Sequence, residues 1–172
     1  ISSSGNTTLD AGSTTSAQGG EVAVAAGGDA IFQAGSLIDV SADEIVASAG
    51  GNVDVDGGRI LLSGTILANP AGDGEGGTIT ANADRIAVAP GSLTQANGGT
   101  ILVNSPGEEG LGDTSTSVYD GATVDAGDGF LEISGSRMSL GGTLRASTIL
   151  FDPDNITFVN PTGGNDDSGT ID

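Results

Sequence analysis

Almost all of the side chains in this sequence that could do chemistry are carboxylates. Asp54 and Asp56, in the stretch NVDVD, stand two residues apart and alternate with Val53 and Val55. A strand would therefore turn both carboxylates to one face, a geometry that a hard cation such as Ca²⁺ could use. Further acidic turns read AGDGEGG at 71–77, DAGDG at 125–129 and NDD at 165–167. None has the spacing of an EF-hand loop or of the calcium-solenoid nonapeptide. Solvated charge that keeps a glycine-rich chain soluble is the simpler reading. Asp54 and Asp56 are the candidate metal ligands, and no cofactor other than Ca²⁺ is expected. The block ILFDPDNITF at 149–158 raises the same question, because it sets two of the four Phe around an acidic DPDN core.

Composition narrows the function classes. The 172 residues include 31 Gly, no Cys, no His and no Trp, and the only basic residues are Arg59, Arg85, Arg137 and Arg145. Against 23 acidic residues they leave a net charge of −19, which repels nucleic-acid phosphates and anionic membranes. No apolar run is long enough for a transmembrane helix, so neither nucleic-acid binding nor membrane insertion is expected. The chain begins at Ile1 with neither a basic start nor an apolar signal-like stretch, and it reads as a segment of a longer precursor.

The elements that must position these residues are short strands. Gly, Thr, Ser, Asn and Asp interrupt every helical window, and apolar residues recur at i and i+2. Taking one inward residue per run gives Val22, Ile31, Ile38, Ile45, Val53, Ile60, Ile66, Ile79, Ile86, Leu93, Ile101, Val118, Val124, Leu131, Met138, Leu144, Leu150 and Ile156. Most steps are six to eight residues, so three make a repeat of about 21, within the solenoid range. Paired glycines in GGDAI, GGNVDV, GGTITA and GGTILV, with the variant DGFLEI, mark every third strand.

The expected fold is an all-β, single-stranded parallel β-helix of about six coils with three parallel sheets and two loop insertions. Sheet one holds VAVA, IVAS, ILAN, LTQA, VDAG and LRAS. Sheet two holds the glycine-led strands, and sheet three holds LIDV, RILL, RIAV, SVYD, RMSL and NITF. Coils about 4.8 Å apart stack Ile, Val and Leu on like residues, and six give a rod of about 29 Å. Ala at the strand ends lets the corners close. The helical domain is expected over 1–160, with 1–20 a weakly patterned opening coil and 161–172 a flexible tail, linker or assembly segment. A hairpin-built sandwich would leave the threefold position of the glycines unexplained.

Within this frame Arg59, Arg85 and Arg137 each precede the inward residue of a sheet-three strand. They should form one outer column, with Asp56 and Asp84 available to offset them. The insertion ANPAGDGEGG is expected between sheets one and two, and NSPGEEGLGDTSTS between sheets two and three. Such loops project from solenoids, which makes Asp73, Glu75, Glu108, Glu109 and Asp113 the recognition-loop candidates. Some parallel β-helices cleave acidic polysaccharides, but that chemistry draws on a base or cation, and this chain lacks His and Lys and is poor in aromatic platforms. No catalytic residue is assigned, and the chain is expected not to be an enzyme.

Coils of the form GGTI, closed by Leu150, Phe151, Asp152, Pro153, Asn155, Ile156, Thr157 and Phe158, resemble the filamentous-haemagglutinin-like large exoproteins. Gram-negative bacteria export these by two-partner secretion. The resemblance covers nearly the whole chain as repeat texture, and its specific part is the closing block. It implies a right-handed β-helix displayed outside the cell or on the outer surface of a Gram-negative-type bacterium, in adhesion, aggregation or biofilm. The partners implied are a glycan or protein on a host or neighbouring cell. End-to-end stacking into a homo-oligomer or filament is the alternative, with a calcium- or glycan-binding solenoid behind it. Leu150 and Ile156 fall on the coil phase, so ILFDPDNITF is expected to be a terminating coil whose acidic residues form turns.

Overall fold

A computed structural model describes residues 1–43, 48–105 and 114–153. Its strands, all paired in parallel, form three sheets, and no helix occurs among the described residues. The glycine-led sheet has seven strands in the order β1 (Ser2–Ser3), β4 (Glu21–Ala26), β7 (Asn52–Asp56), β10 (Thr78–Asn82), β13 (Thr100–Asn104), β16 (Phe130–Ser134) and β19 (Thr148–Asp152). The arginine-led sheet has six, β2 (Thr7–Leu9), β5 (Asp29–Phe32), β8 (Arg59–Leu62), β11 (Arg85–Val88), β14 (Ser115–Val118) and β17 (Arg137–Leu140). The third, short-strand sheet also has six, β3 (Thr14–Ser16), β6 (Leu37–Asp39), β9 (Thr65–Leu67), β12 (Leu93–Gln95), β15 (Thr123–Asp125) and β18 (Thr143–Arg145). Each coil thus takes one strand from each sheet, and β19 begins a further coil. The protein is a parallel β-helix.

Side-chain alternation explains why the chain closes this way. Stacked inward columns run Val22, Val53, Ile79, Ile101, Leu131 and Val24, Val55, Ala81, Val103, Ile133 in the glycine-led sheet. Ala30, Ile60, Ile86, Thr116 and Phe32, Leu62, Val88, Val118 do the same in the arginine-led sheet. Ile38, Ile66, Thr94 and Val124 complete the lining from the short strands. All of these side chains are buried. β-Branched residues suit a pleated surface, and each column removes its own apolar area from water against the coils above and below. Ala68, Ala96 and Ala126 are fully buried where the short strands end, the small side chains that let those corners turn.

The corner before the glycine-led strands has a steric requirement. Gly20, Gly51, Gly77, Gly99 and Gly129 stack coil upon coil, and the residue after each of the last four donates its N–H to the glycine carbonyl one coil back, as from Thr100 to Gly77 at 3.0 Å. A Cβ on Gly77 would run into the backbone of Gly50 and Gly51, and one on Gly129 into that of Gly99. Close approach of backbone, rather than a left-handed φ, selects glycine at these positions.

Among the described residues the sheet assignment expected from sequence holds from Asn52 to Asp152 and fails before Asn52. VAVA lies in the glycine-led sheet, not sheet one, DAIF lies in the arginine-led sheet, and LIDV lies in the short-strand sheet. Counting IVAS as a strand of that sheet displaces every earlier element by one sheet, because LIDV, in β6, already fills the short-strand place in the coil before β7. Ile45 itself lies outside the described residues. The paired glycines that match the later corners are therefore Gly19 and Gly20, not those of GGDAI. The opening coil, weakly patterned in sequence, carries three strands within residues 2–16.

Three inward assignments are off by one residue. Ala30 and Phe32 are buried where Ile31 was expected, Thr94 replaces Leu93, and Ile149 and Phe151 share the inward columns of Leu131 and Ile133 while Leu150 pairs with outward Glu132. The closing residues Asp154, Asn155, Ile156, Thr157 and Phe158, and the tail 161–172, lie outside the described residues.

Candidate functional site

Asp54 and Asp56 both project from the outer face of β7, between buried Val53 and Val55, as their spacing requires. Their stacked neighbours carry no charge: Ala23 and Thr80 flank Asp54, and Ala25 and Asn82 flank Asp56. Asp56 accepts a hydrogen bond from Asn82 Nδ2 at 3.2 Å. Among the described residues no three acidic, His or Cys side chains converge as a metal site would need.

The insertion carrying Asp73 and Glu75 stands at the corner between the short-strand and glycine-led sheets, and both side chains are exposed. Backbone bonds pin it. Ala71 N–H donates to Ser48 O at 3.0 Å, Gly50 N–H donates to Glu75 O at 3.0 Å, and Gly77 N–H donates to Ala68 O at 2.8 Å. It is therefore stitched to the preceding long corner, with which it borders a polar cavity lined by Asp39, Ser41, Asp43 and Asn69. The second insertion leaves from Asn104 and returns at Thr114, at the corner between the glycine-led and arginine-led sheets. Glu108, Glu109 and Asp113 lie outside the described residues. The two insertions depart from different corners, so their roots do not form one acidic surface.

The arginine column is where the expectation and the structure meet. Arg59 and Arg85 are direct parallel partners, Arg85 pairs with Ser115, and Ser115 pairs with Arg137, so three of the four cations share one outer column. The acid that offsets Arg59 is not Asp56 or Asp84 but Asp29, its partner one coil back. Arg59 Nε and Nη2 donate to Asp29 Oδ1 and Oδ2 at 2.9 and 2.6 Å, a two-point fork. That hydrogen bond, reinforced by the charge of Arg59, holds the Asp29 carboxyl below its ordinary pKa and raises that of Arg59. Among the described residues Arg85 makes no side-chain hydrogen bond or ion pair. Arg145, on the short-strand sheet, faces Asp125 at 3.5 Å.

Beside the arginine column runs a second outward one, Ile31, Leu61, Ala87 and Ser117. Leu61 is 39% exposed, and Tyr119, one residue past β14, is 50% exposed. Together these residues line a shallow groove of about 390 Å³ on the arginine-led face. Sequence reasoning passed over Asp29, Leu61, Ser115, Ser117 and Tyr119. The signal for Leu61 and Ser117 was their place two residues after the arginine-column position, which sets them on the same face.

No family model, curated protein or solved structure matches the chain. The class that fold and surface define is the parallel β-solenoid.

Proposed function

We propose that this chain is a non-enzymatic, extracellular rod segment of a filamentous-haemagglutinin-like exoprotein, and that it serves surface attachment, aggregation or biofilm formation in a Gram-negative-type bacterium. The observation that carries this reading is the economy of the coil. Nearly every described strand residue either stacks in the core or lies on a continuous outer face, and several polar side chains on those faces bond to a neighbour in the adjacent coil. Asn69 Nδ2 to Gln95 at 2.9 Å and Asn82 to Asp56 show the pattern. Such a structure supplies length and display area, which suits a spacer or adhesive stalk. Beads coated with the purified segment should bind or cluster cells above an albumin-coated control. Adhesion equal to that control would remove the adhesive reading.

Self-assembly has its own support at one end of the rod. Among the described residues β19 is the last strand of the glycine-led sheet and exposes Ile149 at 36%, Leu150 at 44% and Phe151 at 40%, and a strand edge is a template for another strand. Light scattering across a concentration series tests this, since monodisperse monomers throughout would sink a filament. Calcium binding is tested separately by calorimetry; absence of heat and of any Tm shift would dismiss it.

A further inference from the structure

Two like charges stacked in register need a reason. Parallel strands set the Cα atoms of Arg59 and Arg85 about 4.8 Å apart, and directly opposed like charges are unfavourable. Arg59 is neutralised by its fork on Asp29, but no such group serves Arg85, whose other stacked neighbour is Ser115. The rest of the surface is strongly acidic, so this is a local positive spot at the rim of a groove. Leu61 and Tyr119 give the groove apolar and aromatic surface. The outward Ser115 and Ser117 form no side-chain hydrogen bond within the described chain and offer hydroxyls.

We propose that this groove binds a sugar carrying a single carboxylate, such as a terminal uronate, with the carboxylate on Arg85. The ring would lie against Leu61 and Tyr119, and its hydroxyls would bond to Ser115 and Ser117. Charge decides the class of ligand. At a net charge of −19 the protein repels a continuous polyanion, whereas one carboxylate responds to the charges within a Debye length of about 8 Å. Within that reach Asp29 is already held by Arg59, and Asp84, next to Arg85 in sequence, forms no ion pair with it but weakens its field, which disfavours a ligand of higher charge. A second copy of this acidic chain is disfavoured by the same repulsion. The face is flat and its strands are already paired on both sides, which leaves a peptide neither a deep pocket nor a free edge. An exposed ring with hydroxyl and guanidinium donors suits a pyranose.

The inference rests on the extracellular reading above, and its test is separable from it. The full ¹⁵N-labelled chain is titrated with a glucuronate-terminated disaccharide, the matching glucose-terminated one, and a short neutral peptide with a free C-terminal carboxylate. The acidic sugar should shift the amide signals of Leu61, Arg85, Ser117 and Tyr119. Arg85→Gln should weaken it about tenfold or more, the loss expected of a charge-assisted hydrogen bond. Arg145→Gln, on another sheet, should leave it within about twofold, well below one such bond. No shift at millimolar sugar, equal binding of the neutral sugar or the peptide, or equal effects of the two arginine variants would overturn the proposal. Circular dichroism of each variant reports whether the rod is intact. Failure to bind by an intact rod refutes the groove alone, while absence of β structure refutes the rod.

Discussion

The inward columns of the glycine-led sheet meet two different fates along one register. Leu131 and Ile133 are fully buried, whereas Ile149 and Phe151, the next residues in the same columns, are 36% and 40% exposed. Chemistry and backbone are alike, and what differs is that β16 has β19 on its far side, whereas among the described residues no strand follows β19 in the sheet. Burial in this molecule is thus a property of neighbours rather than of sequence position, and stability accumulates interface by interface along the rod. The arginine-led sheet repeats the contrast: Leu62 and Val118 are buried, while Leu140, in the same column, is 39% exposed.

The sharpest way to break that account is at the glycine corner, where coils touch through backbone. Gly77→Ala puts a methyl group into the backbone of the preceding coil, and neither coil can yield without losing its ladder. Denaturant unfolding should show a loss of about 3–5 kcal/mol, the extreme of the point-mutation range. Gly91→Ala has open space around the new methyl and only an unfavourable φ of +77 to +83-type turn geometry, here +79°, so its cost should be about 1–2 kcal/mol. Equal losses would mean that backbone approach between coils is not what selects glycine. Next in size is the core pair. Leu131→Ala should cost about 2–5 kcal/mol, and Ile149→Ala less than about 1 kcal/mol. Equal costs would mean that the end coil is packed as tightly as the middle.

The smallest effect is electrostatic. Asp29 is held below its ordinary pKa by Arg59, so its contribution to stability is complete above about pH 4, the unfolded value. It is lost as pH falls through the lower folded-state value. Thermal melts between pH 5 and pH 2 should therefore fall slightly less steeply for Asp29→Asn than for the parent. Parallel curves would remove the fork as a source of stability.

The solenoid was legible because its repeat is carried by spacing. The arginine-column position lies three places beyond the end of β7 and of β10, from Asp56 to Arg59 and from Asn82 to Arg85, and this placed the two arginines in one column from sequence. The partner of Arg59 was not legible. The run IVAS alternates in sequence as a strand would, and counting it into the short-strand sheet moves Asp29 to another sheet. Parity was equally hard to read. At Leu93–Thr94 the larger residue invites burial, but the register that Ile66 and Val124 impose turns Thr94 inward. Stacking on neighbours decides the face, and a single run of sequence does not show its neighbours.

One distance tests the register of the stacked coils. Ala23, Asp54, Thr80, Leu102 and Glu132 form a single outward column across five coils. The chain has no cysteine, so spin labels can be attached at Ala23→Cys and Glu132→Cys alone. Four steps between coils predict a narrow distance distribution centred near 19 Å, broadened only by the label arms. A broad distribution, or a centre beyond about 30 Å, longer than the six-coil rod itself, would contradict the rod.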